Sequence, residues 1–257
     1  MAYIYTAEQF CAKLKDIANN YKTLYVRGCI GAPMTAVNKQ RYIQHHKWNA
    51  TADRVRKITD ATADTFGFDC IGLIKSLAWG WCGDKKKAYG GAVYRSNGVE
   101  DWTDEQIIAN CKDVSTDFTN IEPGEALWQK GHMGVYVGDG LAVECTPSWD
   151  DKVQITAVNR TIKGYHTRTW TKHGKLDWIQ YPAKKIEVNP GDLVMFNGNT
   201  HYISANGTNP LKCKPGPAKV FQIYKPESSR HPYALIRVLG GGSTVYGWVD
   251  EGTFTKT

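Results

Sequence analysis

The 257-residue sequence has no long apolar run and no export signal, and each absence excludes a class of protein. No stretch approaches the ~20 apolar residues that a membrane-spanning helix needs, so we expect no stable membrane insertion. The first residues, MAYIYTAE, lack a basic segment followed by an apolar one, which predicts synthesis in the cytoplasm without a signal peptide. The length suits one large domain, or a large domain with a small one.

The number and spacing of the cysteines exclude further classes of protein. Seven cysteines are too few for a disulfide scaffold in a chain of this length, and no two are spaced as Cys-x-x-Cys. Zinc ribbons and thioredoxin-type motifs are therefore excluded as interpretations, and we expect reduced thiols. The adjacent histidines His45 and His46 would point to opposite faces of a strand, so they make a poor metal site.

Positive charge is present in excess and is unevenly distributed. The formal net charge is +7; residues 1–183 hold 23 Lys and Arg against 20 Asp and Glu, and residues 184–257 hold 9 against 5. A basic surface attracts polyanions such as nucleic acid, anionic lipid headgroups and bacterial wall polymers. No recognised nucleic-acid-binding module accompanies the charge, so we do not expect a nucleic-acid partner.

The first two thirds of the chain read as helices followed by strands. Capping boxes at Thr6–Gln9 and Thr103–Gln106 predict helix starts, and Asp69 is the expected N-cap of an apolar helix reaching Trp81. Residues 38–64 are basic and polar and give no clear element. Strands follow at 126–128, 133–137 and 141–145, with a hairpin turn at 138–140. This order predicts an α+β domain.

A domain boundary is predicted near Pro182–Lys185, which gives domains 1–183 and 184–257. The second segment has few helical signals, and Gly and Pro turns separate its apolar stretches. A small β-barrel of about five strands fits this pattern. The expected strands are 193–196, 202–204, 218–224, 233–238 and 245–249.

Cys70 is the cysteine in the most reactive setting, directly after the predicted N-cap Asp69. A helix N-terminus carries partial positive charge, which lowers a thiol pKa and favours the nucleophilic thiolate. The same helix end can donate a backbone N–H to an oxyanion. The alternative interpretation is a small buried thiol, the usual place of a cysteine.

His132 and Glu144 belong to the predicted hairpin. A histidine on a strand can accept the thiol proton and return it to a leaving amine, and a carboxylate can orient the ring. The two side chains share a face only if the hairpin loop has an odd number of residues; a two-residue loop would separate them. The alternatives are a polar surface histidine and a solvated carboxylate.

Three segments together resemble the NlpC-type papain-like cell-wall hydrolases: Asp69-Cys70-x-Gly72-Leu73-Ile74, Pro123-Gly124-Glu125 and Gly131-His132-x-Gly134-Val135-Tyr136-Val137-Gly138. The resemblance covers roughly residues 5–181. It implies that Cys70 is the nucleophile, His132 the base and Glu144 the residue that orients His132. It also implies that Tyr25, in Tyr25-Val26-Arg27-Gly28, supplies a hydroxyl near the oxyanion.

The chain departs from the usual family pattern in three places. Ile71 stands where Ser or Ala is common, and Glu144 stands where His, Asn or Gln is common. The third departure is a long excursion at residues 84–101, which is a lid, a substrate-reading wall or a surface insertion.

The C-terminal segment is similar to the bacterial SH3-type barrels of prophage lysins, through residues 200–206 and 242–249. This similarity implies attachment to the cell wall. Four aromatic residues are candidates for stacking on sugar or peptide: Tyr202, Tyr224, Tyr246 and Trp248.

Taken together, the resemblances imply a monomeric peptidoglycan hydrolase of phage or prophage type that acts on the wall after release. Its partners would be peptidoglycan and anionic wall polymers, with no metal or organic cofactor. The expected reaction cleaves a stem-peptide amide, the D-glutamyl–diamino acid bond being favoured over the muramoyl-alanine amide. Two alternatives stay open: an inactive wall-binding or tail structural protein, and an acyltransferase using the same Cys/His pair. His201 is the alternative base.

Overall fold

The computed structural model describes residues 3–182 and 187–257, which divide into two compact units, Met1–Tyr181 and Pro182–Thr257. The predicted boundary between residues 183 and 184 lies outside the described residues. Across the two described ranges, no helix combines the length and the apolar character that crossing a membrane requires.

Helices begin in the first unit where side chains can cap them. Both predicted capping boxes are confirmed, each with a threonine and a glutamine that bond reciprocally to backbone N–H groups. The helix after Asp69 also begins as predicted but ends at Ala78, because Gly80 adopts a left-handed conformation (φ 86°) two residues later. The α-helices are α1 Ala7–Asn20, α2 Ala36–His45, α3 Ala52–Asp60, α4 Cys70–Ala78 and α5 Asp104–Ala109.

Twelve strands accompany these helices in residues 3–182, in sheets of seven, three and two strands. They are β1 Tyr5–Thr6, β2 Thr23–Tyr25, β3 Ile30–Pro33, β4 Phe66–Phe68, β5 Lys112–Ser115, β6 Ala126–Gln129, β7 His132–Gly138, β8 Leu141–Cys145, β9 Val153–Val158, β10 Thr167–Arg168, β11 Lys172–Lys175 and β12 Ile179–Gln180. The seven-stranded sheet has the order β10-β9-β8-β7-β6-β11-β5, and the three-stranded sheet the order β2-β4-β3. The protein is thus a mixture of helix and sheet.

Helix α4 lies in the main core of this unit. All but one of its residues are buried, and Leu73 and Ile74 belong to the same apolar cluster as Val135 and Val143 on the hairpin. A helix that is apolar almost all round is stable only when its surroundings are packed on every side. Because each fully buried Leu or Ile contributes roughly 1.5–3 kcal/mol, α4 and Cys70 at its start are held firmly against β7.

The β7–β8 hairpin has a two-residue turn, Asp139–Gly140, and a bulge beside it. The register runs Val135↔Val143 and Tyr136↔Ala142, then shifts by one residue before Gly138↔Leu141. One extra residue in one strand reverses which side chains share a face. The bulge therefore has the same effect as a loop with an odd number of residues: it places His132 and Glu144 on the same face.

The strands of the second unit are β13 Leu193–Phe196, β14 Thr200–His201, β15 Leu211–Lys212, β16 Gly216–Ile223, β17 Tyr233–Arg237, β18 Tyr246–Val249 and β19 Phe254–Lys256. They form a five-stranded antiparallel sheet of order β18-β17-β16-β13-β19 and a two-stranded sheet, β14-β15. Within residues 187–257, no ladder joins β18 to β19, so these strands form an open sheet and not a closed barrel. The SH3-like assignment stays a prediction.

Two details of this unit differ from the sequence prediction. The stretch 202–204 is not a strand, and only Tyr202 pairs there, through an isolated bridge to Trp248. Strands β14, β15 and β19 were not predicted; in β19, the buried Phe254 packs with Phe196 and Val194. A single buried aromatic between polar residues is too short a pattern to mark a strand.

Candidate active site

The site begins where β4 runs into α4. Strands β2 and β4 pair in parallel, with Tyr25 opposite Phe68. Phe68 is two residues before Cys70, so this pairing brings Tyr25 near the start of α4. Between them, Asp69 accepts two backbone hydrogen bonds, from Gly72 N at 2.6 Å and from Gly28 N at 2.7 Å. One carboxylate thus caps α4 and ties the loop after Tyr25 to the helix start.

Cys70 lies against the first residues of β7. The backbone N–H groups of Met133 and Ile71 lie close enough to its sulfur to lower the thiol pKa, and Met133 directly follows His132 in the chain. Cys70 and His132 are each 9% exposed, so both are largely shielded from solvent. Among the described residues, no hydrogen bond joins Cys70 directly to His132.

The thiol of Cys70 is neutral in this arrangement. Burial raises its pKa to about 12, and the nearby Asp69 carboxylate adds to the rise. The backbone N–H groups of Ile71 and Met133 oppose this shift but do not outweigh it. The sequence expectation of a lowered pKa therefore differs from the structure, because it considered the helix N-terminus without the burial of the thiol.

His132 and Glu144 form the hydrogen bond on which a triad depends. Nε2 of His132 lies 2.7 Å from Oε2 of Glu144. The bulge makes this possible: continuing the register from Val135↔Val143 brings Glu144 level with Gly134, on the face of His132. An ionised carboxylate only accepts, so Nε2 carries the proton and Nδ1 is the nitrogen able to accept one.

Glu144 is fully buried and ionised. Thr156 donates its hydroxyl to Oε1 at 2.6 Å, and Nε of Arg168 lies 2.6 Å from Oε2. Burial alone would raise the pKa of Glu144, but the hydrogen bonds and charges of His132 and Arg168 outweigh it and hold the pKa below its ordinary value. The carboxylate therefore stays charged beside the imidazole.

Aromatic rings hold the His132 and Arg168 side chains in place. Trp170 stacks on His132 with ring centroids 5.5 Å apart and planes 14° apart, and the Arg168 guanidinium lies 4.8 Å from the Trp149 ring centroid. Gly134 leaves room for this stack, since a Cβ there would lie 3.0 Å from the Trp170 ring.

Sequence reasoning missed Arg168, Thr156 and Trp170. Arg168 and Trp170 lie in and just after a two-residue strand that gives no periodic signal. Thr156 had a detectable signal: it is a polar residue at a buried position of β9, which is otherwise largely apolar. A buried hydroxyl needs a hydrogen-bond partner, and that partner is Glu144.

Tyr25 lies near Cys70. Burial raises its pKa, and the proximity of Cys70 and Asp69 raises it further. Its ring packs edge-on against Trp48 at 5.2 Å, and the buried Arg54 donates to its backbone carbonyl. Within residues 3–182 and 187–257, the Tyr25 hydroxyl has no hydrogen-bond partner. Its proposed contact with an oxyanion stays a prediction.

No protein-family model matches the chain, and no curated protein matches it. An assignment of function therefore rests on the residues and geometry of the site.

His201, the alternative base, lacks the surroundings of His132. It lies on β14 in the second unit, and burial lowers its pKa. Its Nδ1 is buried and has no hydrogen-bond partner among the described residues. Within residues 3–182 and 187–257, no carboxylate is placed to orient that ring, so the geometry favours His132 as the base.

The side chains that could bind a metal ion, including the cysteines, were also located in the structure. In the parts of the chain that the structure describes, no group of three or more His, Cys, Asp or Glu side chains is placed to hold a metal ion. All seven cysteines are free thiols.

The four candidate wall-binding aromatics fall into two arrangements. Tyr246, 69% exposed, and the half-buried Trp248 line a groove of about 390 Å³, with Tyr224 edge-on to Trp248 at 6.2 Å. Tyr202 instead stacks on His231 with centroids 3.5 Å apart. Tyr246 and Trp248 are thus the better placed of the four for contact with a ligand.

Proposed function

We propose that the protein is a cysteine-dependent peptidoglycan hydrolase that cleaves an amide bond of the wall stem peptide. The observation that carries the proposal is the hydrogen bond between His132 and the buried, ionised Glu144, next to a helix-start cysteine. This is the set of groups that nucleophilic acyl transfer requires: a nucleophile, a base and a residue that orients the base. The resemblance to NlpC-type hydrolases directs the choice of substrate to peptidoglycan.

Because the Cys70 thiol is neutral, its proton leaves during the attack. Nδ1 of His132 accepts the proton as the Cys70 sulfur bonds to the amide carbonyl carbon, and the carbonyl oxygen becomes an oxyanion. Backbone N–H groups at the start of α4 and the Tyr25 hydroxyl are the proposed donors to that oxyanion. Collapse breaks the C–N bond, and His132 returns the proton to the departing amine.

Water then completes the reaction. His132 removes a proton from water as its oxygen bonds to the thioester carbon, and breakage of the C–S bond releases the acid product. The proton returns to the Cys70 sulfur. Within this proposal, the D-glutamyl–diamino acid bond is favoured over the muramoyl-alanine amide, and the second unit attaches the enzyme to the wall.

The decisive experiment compares wall clearing by the wild-type protein and by Cys70→Ala, with Cys82→Ala as a matched control at an exposed cysteine. We expect wild type and Cys82→Ala to clear sensitive walls and Cys70→Ala not to. Mass spectrometry of the released fragments identifies the new amine and hence the bond. Equal clearing by Cys70→Ala overturns the mechanism.

A second candidate function is a wall-binding protein without hydrolase activity. The observation in its favour is the burial of Cys70, with its pKa raised to about 12. This candidate predicts that wild type and Cys70→Ala sediment equally with walls and that neither releases amines.

A further inference from the structure

A cavity of about 300 Å³ opens beside the nucleophile. The residues on either side of Cys70, Asp69 and Ile71, line it together with Gly28. Helix α2 forms a second side through Arg41 and His45. His45 lies close to Gly28, since a Cβ on that glycine would lie 3.1 Å from the imidazole. The cavity therefore lies next to the start of α4, where Cys70 is found, although Cys70 does not line it.

The excursion at residues 84–101 forms the remaining wall. Tyr89 and Tyr94 line the cavity, and Asp101 at the end of the excursion pairs with the buried Lys75 of α4. Further hydrogen bonds attach the excursion to the end of α4, including Val93 N to Trp79 O at 2.8 Å. Of the three roles open for the excursion, this placement supports a substrate-reading wall.

Among the residues that the structure describes, the charges in the cavity leave one cation available. Lys75 is paired with Asp101, which also accepts the Tyr94 hydroxyl at 3.0 Å, and Asp69 is satisfied by its two backbone N–H donors. Arg41 has no carboxylate within ion-pair distance in the described part of the chain. The remaining attraction in the cavity is therefore for an anion.

Arg41 is also held in position. Its guanidinium lies 5.5 Å from the Tyr42 ring centroid and 5.4 Å from that of Tyr89. A guanidinium near the faces of two rings is attracted to both, and its planar fork of donors can still bind a carboxylate.

We propose that this cavity is a substrate subsite in which Arg41 binds a carboxylate of the peptide that is cleaved at Cys70. The proposal rests on the proposed function and narrows it to acidic peptides. Arg41 is a specificity-determining residue, and Tyr89 positions it. A wall peptide whose carboxylates are amidated would be a poor substrate.

The test uses the full-length protein and the synthetic peptide L-alanyl-γ-D-glutamyl-L-lysyl-D-alanine, as the free acid and with both carboxylates as amides. The variants are Arg41→Gln and, as a matched control, Arg56→Gln, an exposed arginine of α3 paired with Asp53. We expect Arg41→Gln to lower kcat/KM on the free acid about 10- to 100-fold, mainly through KM, and to leave the diamide unaffected. Tyr89→Phe should show a smaller loss of the same kind, and Arg56→Gln none.

Equal losses on both peptides, or no loss on either, overturn the subsite. If the wild-type protein hydrolyses neither peptide, the preference for the D-glutamyl–diamino acid bond fails, and wall clearing remains the test of the proposed function. Calorimetric binding of the free acid to the wild-type protein then tests the cavity by itself. A Kd raised about tenfold or more by Arg41→Gln then supports the carboxylate site. Unchanged binding, or no binding to the wild-type protein, overturns it.

Discussion

Glu144 reaches His132 across the β7–β8 hairpin because a bulge near its turn reverses which side chains share a face. Their side-chain atoms Oε2 and Nε2 lie 2.7 Å apart although the turn itself has two residues. Without the extra residue, Glu144 would point to the opposite face of the sheet. The candidate site therefore depends on a backbone irregularity several residues away from either side chain.

Replacing Glu144 by Gln tests this relationship. The amide removes the charge that stabilises an imidazolium on His132 and leaves Arg168 buried beside a neutral group. We expect kcat on wall peptide to fall roughly 10²- to 10⁴-fold. The matched control is Glu125→Gln, which alters another buried glutamate bonded to a histidine, His173. That control is expected to lose stability and keep most of its kcat; equal losses of kcat in both variants would contradict a specific role for Glu144.

The charge of Glu144 also makes stability depend on pH. Its pKa is lower in the folded protein than its ordinary value of 4.5. The stabilisation from His132 and Arg168 is therefore complete above that value and is lost as the pH falls through the folded pKa. In urea unfolding from pH 7 to pH 3, the difference between wild type and Glu144→Gln should shrink below about pH 4.5. A difference that stays constant over this range would show that the carboxylate charge does not stabilise the fold.

Alkylation of Cys70 tests whether its thiol is neutral in the free protein. A pKa raised from 9.0 to about 12 reduces the thiolate fraction at pH 7 about a thousandfold. We expect Cys70 to react slowly with iodoacetamide at pH 7 and at a rate that rises steadily up to pH 10. Peptide mapping and mass spectrometry measure the extent of alkylation at each pH. The exposed Cys82 is the internal reference. Fast alkylation of Cys70 that is independent of pH between 5 and 8 would indicate a thiolate–imidazolium pair instead.

Local signals in the sequence were enough to locate the helix starts and the hairpin. Thr6, Asp69 and Thr103 each cap the helix that follows within a few residues, so the capping interaction is visible in the sequence itself. Strand β8 has the predicted bounds for a similar reason, since it is bounded by a Gly-containing turn and Thr146-Pro147. These local signals assign Cys70 to a helix start and His132 to a hairpin strand. They do not predict that the two residues lie next to each other.

Interactions between distant residues could not be read in the same way. Arg54 is buried on α3 because Asp151, 97 residues away, forms an ion pair with it, and a buried arginine breaks the apolar periodicity that marks a helix. Arg168 likewise has its role only through Glu144, 24 residues before it. The neutral state of Cys70 depends on tertiary burial, which no local pattern contains.

Asp69 links the helix cap to the chemistry of Cys70, and Asp69→Asn separates the two effects. The amide oxygen can still accept from Gly72 N, but its NH₂ group would face the N–H of Gly28. We expect a loss of about 1–2 kcal/mol in the free energy of unfolding. Because the Asp69 charge contributes to the raised pKa of Cys70, alkylation of Cys70 should become faster at a given pH.

The measurements for Asp69→Asn are urea unfolding and the pH profile of Cys70 alkylation. Asp53→Asn is the matched control, because Asp53 is an exposed carboxylate that pairs with Arg56 and Lys57. It should leave both measurements close to wild type. Slower alkylation of Cys70 in Asp69→Asn would contradict the electrostatic contribution of Asp69.

Tyr246 tests the contribution of the second unit to wall binding. Its side chain is 69% exposed at the groove that Trp248 and Phe221 also line, so its removal should cost stability little, within about 0.5 kcal/mol. Stacking of the ring on sugar or peptide should be lost in Tyr246→Ala, which predicts weaker co-sedimentation with purified walls. Leu239→Ala is the matched control, because Leu239 is 86% exposed in the same unit and does not line the groove. Both variants are made in the Cys70→Ala background so that the wall stays intact during the measurement. Equal sedimentation of the two variants would show that the groove does not hold the wall ligand.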